Sequence, residues 1–130
     1  MGITSPIHLR GTAGRRVYAV VAAALLVALT LAAIRHEAGI WQIALFGLGP
    51  DLALLAGAGS GLEKGQLHPR AVGAYNLAHR FSAPFALAAL AALGLLSPGF
   101  FVGALAWAFH IALDRSLGYG SRTRDGFQRS

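Results

Sequence analysis

Residues 107–120 read WAFHIALDRSLGYG, and within them His110 and Asp114 stand four residues apart in an otherwise apolar segment, with Arg115 directly after. On a helix this spacing puts the imidazole and the carboxylate on one face, a turn apart. Ionisable groups inside an apolar run are costly, so they mark a functional site and call for partners. Candidate partners lie earlier in the chain: Asp51, and the polar group Tyr75, Asn76, His79 and Arg80. The remaining elements have to carry these groups to the His110 face.

Composition decides what kind of elements those are. The chain has 130 residues, enough for one domain, with 55% hydrophobic and 12% charged residues, a balance far from that of soluble proteins. This is the profile of an integral membrane protein. Cysteine is absent, which excludes disulfides, thiolate metal sites and a cysteine nucleophile. The formal net charge is +6, but the basic residues flank apolar runs. Anionic lipid headgroups of the bilayer are therefore the expected counterions, and nucleic acid is not. No Gly-rich nucleotide loop and no serine nucleophile motif is present.

The expected fold is all-α, an integral membrane bundle of four transmembrane helices over about residues 17–34, 40–59, 71–96 and 100–117. They form a transmembrane domain over 17–120, between a flexible basic tail at 1–16 and a basic, lipid-facing tail at 121–130. Arg15-Arg16 before the first run would also suit a cleaved signal peptide, but the run is long for one and three more follow. Gly47, Gly49, Pro50 and Asp51 interrupt the second span, where proline removes a backbone donor and bends the helix. Ala53, Gly57 and Gly61 repeat every four residues, a pattern that permits close helix approach and a homo-oligomer. Ser97-Pro98-Gly99 is a tight turn that makes the last two spans antiparallel neighbours.

With an even number of spans, Arg10, Arg15, Arg16, Lys64, Arg70, Arg115, Arg122, Arg124 and Arg129 share one side and only Arg35 lies on the other. Both termini are then cytoplasmic, in a multi-pass protein of the cell's inner (plasma) membrane. At about 1.5 Å per residue, Asp51 lies roughly 12 Å before the end of span two and His79 roughly 12 Å after the start of span three. His110 lies roughly 10 Å, and Asp114 roughly 5 Å, before the end of span four. All four groups thus share the inner leaflet. His8, His36 and His68 fall in polar segments and are expected to be solvated. Asn76 is expected to hydrogen-bond between helices, and Tyr75, Trp107 and Tyr119 to pack or anchor at the interface.

These residues also carry a resemblance. Gly49-Pro50-Asp51-Leu52, Pro69-Arg70 with Gly73, Tyr75-Asn76-Leu77-Ala78-His79, and the run His110-Ile111-Ala112-Leu113-Asp114-Arg115-Ser116-Leu117-Gly118-Tyr119-Gly120 with Gly126-Phe127 resemble an uncharacterised bacterial membrane family. It is the family called domain of unknown function 4260, and it implies a small integral membrane protein without supplying an activity. The Pro-Asp-Leu element, the later histidine and the His-x-x-x-Asp ending are also similar to the pattern of bacterial membrane-bound metal-dependent hydrolases. That similarity implies a divalent metal ion held by Asp51, His79, His110 and Asp114, with Arg80 or Arg115 holding a lipid phosphate.

Three functions fit these residues. In the first, the Asp, His and Arg cluster is structural or binds an anionic lipid headgroup, with Asp51 and Asp114 neutralising Arg80 and Arg115. In the second, a metal-dependent membrane hydrolase acts on a lipid-linked substrate. Transport, the third, would need a continuous polar path that the outer halves of the spans lack.

Overall fold

The computed structural model describes residues 11–36 and 40–129. Expectations for residues 1–10, with His8 and Arg10, and for Ser130 at the end of the C-terminal tail lie outside the described residues. After Gly14 the chain runs to His36 with no glycine or proline, and it forms α1, Ala13–His36. Arg35 and His36 in its last turn complement the helix dipole. Its 24 residues span about 36 Å, and large apolar side chains such as Val20 and Ile34 are about 70% exposed. The helix takes in residues 13–16, so the expected tail is helical from Ala13 onward.

The second and third expected spans are each broken in two. α2, Ile40–Leu48, gives way to a turn of 3-10 helix at Gly49–Asp51, because Pro50 has no N–H to continue the ladder. α3, Leu52–Ala56, follows at once. α4, Pro69–Ala78, starts where His68 accepts a hydrogen bond at Nδ1 from the Arg70 N–H, and a proline fills the first position. The chain breaks again at 79–81 before α5, Ser82–Ala92. α6, Gly99–Ser116, closes the set and is followed by Gly118 in the left-handed region, φ +92°. Among the described residues there is no β-strand, and α1 is the one helix long and apolar enough to cross a membrane.

α6 is the axis of the fold and packs against α1, α2 and α5. Val102 and Ile111 on it are fully buried. α1 runs antiparallel to it: Leu29 packs on Val102 and Ala106, while Tyr18, nearer the start of α1, bonds Arg115. α1 is thus an integrated part of the bundle. Gly103 lets α2 lie close, since any Cβ there would collide with Phe46 and crowd Gln42. Because Gln42 meets Gly103 and Gly47 meets His110, α2 runs parallel to α6.

The expected free C-terminal tail is docked instead. Residues 121–129 fold into a small hairpin, with an isolated bridge between Arg122 and Gln128. Asn76 clasps its backbone on both sides, Nδ2 donating to Arg122 O at 3.0 Å and Oδ1 accepting from Arg122 N at 2.7 Å. Gly126 (φ +98°) accepts from the Leu67 N–H, and a Cβ at Gly126 would run into the Leu67 backbone.

Candidate metal centre

α6 presents His110 and Asp114 a turn apart, on the stripe that also carries Gly103 and Trp107. The glycine admits α2, and α2 delivers the 3-10 turn that points Asp51 at the same spot. His79 arrives from the other direction, at the end of α4. Two donors from α6 hold that end open: the Trp107 indole N–H bonds Ala78 O at 2.7 Å, and the Arg115 guanidinium bonds His79 O at 3.3 Å. Side chains from α6 thus satisfy the carbonyls left open at the helix end, and Pro84 has no N–H with which to continue the ladder to Arg80 O.

The four groups form a ring in which nitrogen and oxygen alternate. His79 Nε2 lies 3.3 Å from both Asp51 Oδ1 and Asp114 Oδ2, and His110 Nε2 lies 3.2 Å from the same two oxygens. The ligand atoms lie within 4.8 Å of one another, so a single group of four could hold a metal ion. On the far side of each imidazole, Nδ1 faces a backbone carbonyl: His79 donates to Tyr75 O at 2.8 Å and His110 to Gly47 O at 2.7 Å. A carbonyl only accepts, so both Nδ1 atoms carry their hydrogens. In the neutral form of the rings the Nε2 lone pairs then face carboxylate lone pairs, so the arrangement needs positive charge, either an ion at its centre or a proton on the imidazoles.

Distances separate the two ways of supplying that charge. An imidazolium N–H bonded to a carboxylate draws in to about 2.7–2.9 Å, whereas here each Nε2 stands farther off and midway between two oxygens. Ligands about 2.0–2.1 Å from a tetrahedral ion lie about 3.3–3.4 Å apart; the four N–O edges of the ring have that spacing, and all its ligand atoms lie within 4.8 Å of one another. Two carboxylates and two neutral imidazoles also balance a divalent ion, an advantage where the dielectric is low. The imidazole side chains are nearly closed off, at 2% and 11% exposure, while Asp51 is 44% exposed and Asp114 22%. The ring therefore opens on the Asp51 side.

A family model described as domain of unknown function (DUF4260) matches residues 15–130. The chain belongs to the DUF4260 family. The match contains all four residues of the ring, and the family's description carries no activity. Comparison with curated proteins and with solved structures returned no match.

The other residues singled out from this DUF4260 sequence take different places. Among the described residues, the ion partners of Asp51 and Asp114 are the two imidazoles, so the expected neutralisation of Arg80 and Arg115 is not what the carboxylates do. Arg80 is exposed and stands apart from the ring's contacts. Arg115 donates to Tyr18 Oη at 2.9 Å and stacks over Tyr18 and Phe81. Tyr75 is buried with its ring stacked on His79, centroids 4.0 Å apart. Asn76 bonds the C-terminal hairpin, not another helix. Trp107 packs on Phe46 and, beyond packing, supplies the hydrogen bond to Ala78. Sequence reading missed the carbonyls of Gly47 and Tyr75, backbone atoms with no residue type to betray them. The buried Gln42 went unremarked too, although a glutamine in an apolar run was a visible signal.

Proposed function

We propose that this protein is a small integral membrane metalloprotein whose centre holds one divalent first-row ion on Asp51, His79, His110 and Asp114. The observation that carries the reading is the pair of Nδ1–H groups tied to Tyr75 O and Gly47 O, which turns both Nε2 lone pairs toward two carboxylates. Nitrogen and oxygen donors without thiolate suit zinc, iron(II) or manganese(II). A multi-pass arrangement in the inner membrane, with both termini cytoplasmic, is supported by the apolar surface of α1 and by the concentration of basic residues at the end of the bundle that carries the site. The activity we assign is metal-dependent hydrolysis of a membrane substrate. Such an ion would lower the pKa of a bound water and polarise the bond under attack, and the exposed Asp51 side is where substrate and water would enter.

Elemental analysis of detergent-purified protein tests the metal. Near-stoichiometric metal is expected in the wild type and none in a folded His110→Ala, Asp114→Ala variant. Added divalent ion should raise the wild-type melting temperature, by about 2.7 kcal/mol of stability at a hundredfold excess over Kd. A wild type that carries no metal and gains no stability from zinc, iron(II) or manganese(II) overturns the reading and leaves an imidazolium–carboxylate core.

A further inference from the structure

At the basic end of the bundle, a cavity of about 650 Å³ opens between the start of α1 and the segment after α6. Three arginines line it from three places in the chain: Arg15 on α1, Arg115 on α6 and Arg129 in the C-terminal hairpin. Tyr18, Tyr119 and Ser121 line it too, and among the described residues no acidic one does. Among the described residues none of these guanidinium groups has a carboxylate within ion-pair distance, since the ion pairs found are those of the Asp–His ring.

The donors are positioned but not used up. Arg15 spends its Nε–H on Ser116 O at 3.1 Å, which braces the guanidinium against Gly118. Arg115 uses one hydrogen on Tyr18 and one on His79 O and, of its five N–H groups, keeps the rest. Three convergent guanidinium groups exceed what one carboxylate can accept. They match a phosphate, with its several oxygens and up to two negative charges. The volume is that of a small-molecule site, larger than an inorganic ion needs, which leaves room for an organic group attached to the phosphate.

We infer that this cavity binds an organic phosphate, supplied either by a phospholipid headgroup or by a soluble phosphate ester. The site goes beyond the metal centre and does not depend on it, although Arg115 touches both. Isothermal titration of chelator-treated, detergent-purified protein with dihexanoyl phosphatidic acid and with glycerol 3-phosphate tests it. Binding of at least one probe is expected, weakened about tenfold or more by Arg15→Gln and by Arg129→Gln. The change Arg124→Gln removes the same charge from an exposed position outside the cavity and should leave binding within about twofold. At least tenfold tighter binding of the lipid identifies the headgroup as the source, and equal binding identifies the soluble ester. Absence of binding by both probes, or equal weakening in all three variants, overturns the inference. Metal content is read on separate, untreated samples, so failure here and failure of the metal reading are distinguishable.

Discussion

Trp107 is the side chain with the most to teach about the site, although it is not part of the ring. Its indole N–H answers Ala78 O, and without that bond the carbonyl at the end of α4 is left unpaired beside His79. Trp107→Phe keeps the ring packed on Phe46 but removes the donor. It should cost about 1–3 kcal/mol of stability and weaken metal binding while leaving all four ligands in place. Thermal unfolding and metal titration check this, and unchanged metal affinity would detach Trp107 from the centre. At this scale the sequence was informative about ionisable residues, since Asp51, His79, His110 and Asp114 stand out in apolar runs. It was silent about the atoms that orient them. The carbonyls of Gly47 and Ala78 acquire their roles only when helices distant in sequence meet, and that of Tyr75 orients His79 from one turn earlier in its own helix.

Among the elements, closeness of α2 to α6 sets where Asp51 and Gly47 fall, and Gly103 sets that closeness. Gly103→Leu should push α2 outward against Phe46 and Gln42, at a cost of about 1–3 kcal/mol. The metal is then expected to bind at least tenfold more weakly, measured by titration on protein with wild-type helix content, because one edge of the ring is pulled away. Wild-type affinity in that variant would mean that α2 is not the positioning element. Helix existence was legible from apolar runs without breakers, as in α1, and Pro50 announced the turn that carries Asp51. The break at 79–81 was not expected. Pro84 falls inside the expected span over 71–96, yet it stands in the first turn of α5, where proline is tolerated. It marked the start of a helix. It also has no N–H to offer Arg80 O within the break, while the donors that take the carbonyls of Ala78 and His79 come from α6 and leave no local pattern.

For the whole molecule, the charge asymmetry that predicts topology coincides with the packing: the start of α1 and the end of α6 meet through Arg15, Tyr18, Arg115 and Ser116. The chain has no cysteine, so single introduced thiols report cleanly. A membrane-impermeant maleimide should label Ser97→Cys in intact cells, and Arg124→Cys only after permeabilisation. Labelling of Arg124→Cys alone in intact cells would reverse the topology, and labelling of both from the same side would mean that α6 does not cross the membrane and would remove the shared-leaflet argument. The C-terminal segment looked like a free basic tail because its composition is polar. Its attachment rests on Asn76 and Gly126, whose pairing with Arg122 and Leu67 spans a long stretch of sequence. α6 supplies His110, Asp114, Trp107 and Arg115, and among the described helices it comes after all the others in the chain. Until it is made, Asp51, His79 and the carbonyls of Gly47, Ala78 and His79 have no partners from it. Closure of the ring therefore waits for α6, and a chain stalled before residue 99 leaves these polar groups without the partners that α6 brings.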